Sequence, residues 1–111
     1  MDYICRNHER VGTCYHEFVS GEWDGVNFWD DGSLFIHDEI FDDFPEFLKL
    51  WMRAVPDFES CGISRMDRQQ WKTLREAARA RGGVSADFVS EMEPWMENAF
   101  RKAAFITILG I

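Results

Sequence analysis

Four residues of the types that bind zinc lie close together near the start of the chain. Cys5 and His8 are separated by two residues, and Cys14 and His16 by one. Zinc sites use such Cys and His donors because four of them complete a tetrahedral shell. The spacing matches no common zinc-finger pattern, however, and segment 3–19 resembles a strand more than a knuckle. The main expectation is therefore a protein without a metal or cofactor, and a zinc module or metal-dependent enzyme using these four residues is the alternative hypothesis.

The stretch 37–46 concentrates carboxylates. It contains five acids interrupted by apolar residues, namely Asp38, Glu39, Asp42, Asp43 and Glu46. Mg²⁺ and Ca²⁺ prefer such oxygen donors, but the stretch lacks the glycine and the regular alternation of ligands in an EF-hand loop. The apolar residues between the acids are expected to point inward. The pattern therefore favours an acidic segment that faces solvent or a protein partner over a metal site.

No recognised catalytic motif is present in the sequence. Gly82-Gly83 is not followed by the Lys and the Ser or Thr of a phosphate-binding P-loop. No Ser or Cys stands in the strand–turn–helix pattern of a nucleophile elbow. Paired carboxylates that act in acid–base catalysis need surroundings that separate their pKa values, and a sequence does not specify those surroundings. We therefore predict that the protein is not an enzyme.

The residues around the acidic stretch predict a hairpin followed by a helix. Two apolar runs flank the turn sequence 30–33, which predicts a β-hairpin over 26–37. Apolar residues then recur with helical spacing over 44–55. Asp43 is expected to cap this helix, with Glu46 completing a capping box. Because an isolated hairpin is unstable in water, the helix is expected to cover its apolar side.

The rest of the chain supplies further strands and helices. β-Branched and aromatic residues predict three more strands, over 12–19, 62–65 and 105–111. One further helix is predicted from an Asp67 capping box to Gly82-Gly83, and another from Ser85 with a kink or break at Pro94. The expected fold is a single α+β domain over residues 1–111. Its small antiparallel sheet, which includes the predicted hairpin, packs against three or four helices.

The charge is distributed unevenly along the chain. Residues 1–59 hold 14 acidic and 4 basic residues, whereas residues 60–111 hold 6 acidic and 8 basic ones. No Lys or Arg occurs between Arg10 and Lys49, so the first half cannot neutralise phosphates, and nucleic acid is not an expected partner. The arginines of the second long helix are expected to pair with the acidic half of the same protein. An acidic surface of this kind attracts a basic protein partner.

The composition predicts a soluble, cytoplasmic protein that does not bind membranes. No apolar run approaches the ~20 residues that span a bilayer. The first residues lack the basic and apolar regions of a signal peptide. Three cysteines, an odd number, suit reduced thiols better than a disulfide framework.

Two tryptophans lie beside acids in segments predicted to be loops or turns. Asp24 follows Trp23, and Asp30 and Asp31 follow Trp29. Tryptophan is enriched among the hot spots of protein interfaces, although core packing explains these two equally well. We predict an interface that combines these residues with the acidic stretch. Its members are Trp23, Asp24, Trp29, Asp30, Asp31, Asp38, Glu39, Asp42, Asp43 and Glu46.

In general design the chain resembles the bacterial immunity proteins of contact-dependent growth inhibition and related polymorphic toxin systems. The likeness lies in the small acidic chain, the aromatic runs 26–28 and 34–36, the turn 29–32 and the acidic approach to the next helix. It implies stoichiometric binding of a cognate toxin domain, commonly a nuclease, with the acidic half in place of the substrate's phosphates. It transfers no functional residue set to numbered positions. A third hypothesis is an acidic subunit that docks into a larger complex through its apolar end, 106–111.

Overall fold

The computed structural model describes residues 3–59 and 61–110 and has the predicted α+β architecture. After a short 3-10 helix, Asn7–Glu9, the strands and helices are β1 (Tyr15–Ser20), β2 (Leu34–His37), α1 (Asp38–Asp43), α2 (Pro45–Ala54), β3 (Ile63–Asp67), α3 (Arg68–Arg81), α4 (Gly83–Lys102) and β4 (Phe105–Leu109). The prediction of an antiparallel sheet with three or four helices is confirmed.

The four strands form one antiparallel sheet in the order β2-β1-β4-β3. The last strand in the chain, β4, therefore lies inside the sheet, paired with residues 17–20 on one side and with β3 on the other. An interior strand is covered on both edges and packs on its faces, which explains the β-branched, apolar run at this position. Residues 105–109 belong to the sheet itself and are not a free strand for docking into another complex.

The two faces of the sheet differ because successive side chains of a strand point to opposite sides. Phe18, Ile106 and Ile108 face the helices and belong to the main hydrophobic core. Trp51 of α2 is fully buried there, with its ring centroid 5.5 Å from that of Phe18. The opposite side of the sheet, called the outer face below, bears the alternate residues of each strand, including Glu17.

The predicted hairpin over 26–37 is wrong in its first strand. β2 is present as predicted but pairs with β1, and residues 26–29 belong to the connection between these strands, called the 21–33 loop below. Trp29 has a φ of 63°, a left-handed conformation that an extended strand does not contain. Its backbone N–H is donated to the carboxylate of Glu17 instead of to a neighbouring strand. A long-range contact thus overrides the local turn signal.

Helical structure begins earlier than the pattern predicted. α1 forms where an acidic turn was expected, so Asp43 ends that helix and does not cap α2. Phe44 occupies the N-cap of α2 without a side-chain capping bond, and the predicted capping box of Asp43 and Glu46 is therefore wrong. The cap that does form belongs to α1, because His37 Nδ1 accepts the Glu39 N–H at 3.1 Å.

The two long helices follow the sequence signals more closely. The capping box of Asp67 and Gln70 is confirmed, and α3 ends at Gly82, which has a φ of 77°. α4 begins two residues before Ser85 and continues through Pro94, so the chain does not divide into two short helices there. None of the helices in the described ranges combines the length and the apolar character needed to cross a bilayer.

Candidate partner-binding surface

α1 presents four carboxylates within six residues. Phe41 points into the core, with 4% of its surface exposed, whereas Glu39, Asp42 and Asp43 are exposed. Asp42 and Asp43 lie in the last turn, where the helix dipole favours cations over anions, and that turn contains no basic residue. Asp42 and Asp43 therefore carry negative charge at positions that do not favour the stability of the helix, unlike Asp38 and Glu39 in its first turn.

A buried histidine fixes α1 to the end of the sheet. His16 of β1 is fully buried on the helix-covered side, and its Nε2 lies 2.9 Å from Asp38 Oδ1. The Asp38 backbone N–H donates to the Cys14 carbonyl at 2.9 Å. Asp38 is thus bound to the fold through both its backbone and its side chain. The other three acids of α1 are exposed.

The exposed acids Glu39, Asp42 and Asp43 are called the α1 acidic surface below. Within residues 3–59 and 61–110 none of the three forms an ion pair. Glu39 and Asp43 stand four residues apart, as do Asp38 and Asp42, and like charges at this spacing destabilise a helix by about 0.2–0.5 kcal/mol per pair. The α1 acidic surface is therefore both uncompensated and self-repelling.

Glu46 was predicted to belong to the same surface, but the structure gives it a partner. Its carboxylate pairs with the Arg81 guanidinium at the end of α3. Both side chains line a pocket between the first turns of α2 and α4. Glu46 therefore connects two helices of the fold and is not part of the uncompensated group.

The acids of the 21–33 loop hold its turns together. Asp24 Oδ1 accepts the backbone N–H groups of residues 26 and 27, each at 2.8 Å. These hydrogen bonds, that from Asn27 foremost, hold the pKa of Asp24 below its usual value. Asp30 accepts the N–H of residue 32 at 2.8 Å, and Asp31 accepts the Asn7 side-chain amide at 2.9 Å. These carboxylates therefore have structural partners.

The ten predicted contact residues do not form one site. The five in the 21–33 loop precede β2, and the five in α1 and α2 follow it. A four-residue strand spans about 13 Å at ~3.3 Å per residue, so the two groups lie at opposite ends of β2. A partner that contacts both groups must cover the length of this edge strand.

Trp23 and Trp29 are half-buried and fold the loop over the outer face. The Trp29 ring stacks on Phe35 of β2, with 5.8 Å between centroids, and the Arg10 guanidinium lies 4.0 Å from the Trp29 centroid. Trp23 packs on Phe28, with 5.0 Å between centroids. Both tryptophans therefore contribute packing to the loop, which limits the surface that each can offer to a partner.

Glu17 is an important residue of this region that the sequence pattern did not single out. Only 2% of its surface is exposed, and its carboxylate accepts the N–H of Trp29 at 2.8 Å, the N–H of Asp30 at 3.0 Å and the Ser33 hydroxyl at 2.7 Å. No described residue forms an ion pair with it. Strand alternation does place Glu17 opposite Phe18 and away from the core, but it does not reveal which loop covers it.

A pocket of about 320 Å³, called the outer-face pocket below, opens beside Glu17. Its main lining residues are Tyr15, Glu17, Phe28, Trp29 and Leu109. Phe28, expected inside the predicted hairpin, is 53% exposed. Ile63, which pairs with Leu109 in the sheet, is 57% exposed. The loss of the predicted hairpin thus leaves apolar surface open on this side of the sheet.

The four residues of the zinc hypothesis are not assembled by the fold. His16 is buried on the helix-covered side and hydrogen-bonded to Asp38, while His8 and Cys14 are exposed. Burial, followed by the charge of Glu9, raises the pKa of the Cys5 thiol, which disfavours the thiolate that a metal requires. Over the described parts of the chain, no three His, Cys, Asp or Glu side chains group in a way that could hold a metal ion.

Two of the basic residues of α3, Arg75 and Arg79, pair with acids of α4. Arg75 contacts Glu93 at 3.5 Å and Glu97 at 3.0 Å, and Arg79 also pairs with Glu93. These four residues are called the α3–α4 seam below. The prediction that the arginines of this helix pair with the acidic half of the chain is wrong for Arg75 and Arg79, whose partners lie in the second half. Arg81 does pair with the acidic half, through Glu46.

No family model, curated protein or solved structure matches this chain. What the surface can bind is therefore inferred from its residues, charges and geometry.

Proposed function

We propose that this protein is an immunity protein of a contact-dependent growth inhibition or related polymorphic toxin system. In the cytoplasm it binds a cognate basic toxin domain, a nuclease, and blocks it stoichiometrically without catalysis of its own. The observation that carries the proposal is the α1 acidic surface: its carboxylates are exposed, form no ion pair with the part of the chain that the structure describes, and include two in the last turn, where acids disfavour the helix. A cleft that binds nucleic acid supplies the cations that these acids lack.

The spacing of the α1 acidic surface suits this role. Glu39, Asp42 and Asp43 stand at positions i, i+3 and i+4 of the helix, where neighbouring side chains lie about 5–6 Å apart on one face. Three carboxylates presented together resemble a short run of phosphates in charge. Their field also steers a basic partner during diffusion, an effect that raises association rates by about 10- to 1000-fold at low salt.

The first test combines capture with a matched pair of charge variants. The tagged protein is used to capture its partner from lysate in high salt, and the partner's association rate is then measured by stopped-flow fluorescence. One variant carries E39Q, D42N and D43N; the control carries D57N, E76Q and D87N, which removes the same charge from exposed acids that form no ion pair. Asp38 is left intact because it anchors α1 through His16.

The α1 variant is expected to associate at least about tenfold more slowly at low salt and to show a flatter salt dependence. The control is expected to stay within about twofold of the unmodified protein, because none of its charges lies on α1. Equal rates for the two variants contradict the assignment of the α1 acidic surface. Capture of no basic domain from cells shown to express the candidate toxin contradicts the proposed function itself.

The stoichiometry of inhibition provides a second test. Nuclease activity is titrated with increasing amounts of this protein. Activity should fall linearly and end at one equivalent, since a tight inhibitor without turnover consumes one molecule per toxin domain. Complete loss of activity at a small fraction of an equivalent indicates catalytic inactivation and contradicts the proposal.

A further inference from the structure

The outer-face pocket combines aromatic rings with a buried carboxylate. Tyr15, Phe28 and Trp29 line it together with Glu17, and the rings of Phe28 and Trp29 lie 6.5 Å apart between centroids. Phe28 is 53% exposed, so its ring can be reached by a ligand, whereas Trp29 is half-buried, with Phe35 stacked on its ring and the Arg10 guanidinium 4.0 Å from its centroid. Aromatic faces and a carboxylate both attract a cation.

The hydrogen-bond capacity of Glu17 is not exhausted by the loop. Oε2 accepts two hydrogen bonds, from Asp30 and Ser33, whereas Oε1 accepts only the one from Trp29. Because an ionised carboxylate offers about four acceptor positions, Oε1 retains one. Glu17 is 2% exposed and forms no ion pair within residues 3–59 and 61–110. A ligand with positive charge would compensate this buried anion, and an apolar or anionic ligand would not.

We propose that the outer-face pocket binds an arginine side chain of the basic partner. A guanidinium is planar, stacks on aromatic rings and donates to carboxylates, which matches the two kinds of group that line the pocket. Because the chain's own Arg10 guanidinium already lies 4.0 Å from the Trp29 centroid, the partner's arginine stacks on the more exposed Phe28 ring. The inference rests on the proposed function for the source of the arginine, and it names how that partner is recognised.

The pocket extends toward the start of α1 through Tyr15. The Tyr15 ring lies 4.9 Å from His37, and His37 caps the first turn of α1. One partner can therefore place an arginine on the Phe28 ring while its other cations meet the acids of α1. Arginine is among the residues most often found at the energetic centre of protein interfaces. In this arrangement α1 steers the partner and the pocket holds it.

The test uses the isolated protein and a matched pair of peptides. A short blocked peptide with a central arginine is titrated into ¹⁵N-labelled protein, alongside the same peptide with citrulline, which keeps the shape of arginine but is neutral. The arginine peptide is expected to shift the Phe28 and Trp29 amides and the Trp29 indole N–H in a saturable manner. The citrulline peptide is expected to bind at least about tenfold more weakly, since tenfold corresponds to ~1.4 kcal/mol. Equal binding of the two peptides, or no shift at these positions, overturns the proposal.

Variants in and beside the 21–33 loop test whether arginine binding depends on the residues that line the pocket. Phe28→Ala removes an exposed ring that lines the pocket and is expected to weaken arginine binding about two- to fivefold, the usual size of an exposed cation–π contact. Val26→Ala is the control, because Val26 is 75% exposed and does not line the pocket. Glu17→Gln is expected to abolish the preference for arginine over citrulline. If Glu17→Gln does not fold, the comparison of Phe28→Ala with Val26→Ala decides, and equal effects of those two overturn the proposal.

The outcomes distinguish this inference from the proposed function. If the protein binds the arginine peptide selectively but captures no basic domain, the pocket is a cation site and the toxin-inhibitor function is contradicted. If the protein captures a nuclease through the α1 acidic surface but binds the two peptides equally well, the proposed function stands and the proposed role of the pocket is contradicted.

Discussion

α1 and the α3–α4 seam use charged residues in opposite ways. In the seam, Arg75 has 18% of its side chain exposed and lies within 3.5 Å of two carboxylates, those of Glu93 and Glu97. On α1, Glu39 and Asp42 are exposed and pair with no cation in the described ranges. Charged residues therefore stabilise the fold at the α3–α4 seam and weakly destabilise it on α1.

This difference separates charges that stabilise the fold from charges available for a partner. Removing one member of a partly buried ion pair leaves the other charge partly buried without a counter-charge, which destabilises the fold. Removing an exposed acid from a helix whose acids repel one another relieves that repulsion. Neutralisation should accordingly have opposite effects on stability in the two regions. The sign of the change in unfolding free energy on neutralisation shows whether the α1 acids stabilise the fold.

The largest effect is expected from the seam. The double variant E93Q/E97Q leaves the Arg75 guanidinium, which is mostly buried, without an anion and should lower the unfolding free energy by about 2 kcal/mol, a value reduced for its partial exposure. Urea denaturation measures this change, with Asp87→Asn, an exposed acid on the same helix, as the control. A loss below about 0.5 kcal/mol, the range of ordinary surface substitutions, would show that the seam does not stabilise the fold.

Neutralisation of α1 is expected to act in the other direction. The variant E39Q/D42N/D43N should raise the unfolding free energy by a few tenths of a kcal/mol, because it removes like-charge repulsion and two acids from the last turn, partly offset by the loss of Glu39 from the first turn. The same urea experiment measures it beside D57N/E76Q/D87N. If the α1 variant is less stable than that control, its acids contribute to folding and the contrast between the regions fails.

Local signals in the sequence predicted those parts of the fold that depend on neighbouring residues. The Asp67 capping box defines the start of α3, and the apolar run 105–109 defines a buried strand. The hairpin prediction failed because the N–H of Trp29 is held by Glu17, a partner 12 residues away. Likewise, Asp43 does not cap α2 because His37 starts a helix earlier in the chain.

The candidate site was predictable in composition but not in detail. Sequence alone shows that the stretch 37–46 is acidic, yet only the fold reveals that Glu46 pairs with Arg81 while Asp42 forms no ion pair with any described residue. The outer-face pocket is lined by residues that are far apart in the sequence, such as Tyr15 and Leu109, and no local sequence pattern predicts that they lie close together. Pairing of charges and the shape of pockets are properties of tertiary contacts, which spacing within a segment does not encode.

Salt provides a smaller but selective effect. The stability gained by E39Q/D42N/D43N should shrink as salt rises, because the Debye length falls from about 10 Å at 0.1 M to about 3 Å at 1 M. The loss caused by E93Q/E97Q should change less, since the partly buried Arg75 is screened less. Urea denaturation at low and high salt measures both differences. Equal salt dependence in the two variants would mean that the regions do not differ in solvent screening.

The smallest effect concerns Asp24, an exposed acid that, unlike those of α1, has backbone partners. Its folded-state pKa is depressed, so the hydrogen bonds it makes are fully present above the unfolded-state pKa and are lost as the pH falls through the lower folded value. The amides of Val26 and Asn27 should therefore shift in NMR spectra with a midpoint below pH 3.8, the ordinary value for this group. Asp24→Asn should abolish this step, whereas E39Q/D42N/D43N should leave it unchanged. A midpoint at or above 3.8, or a step that moves with the α1 variant, would show that Asp24 does not hold the turn independently of α1.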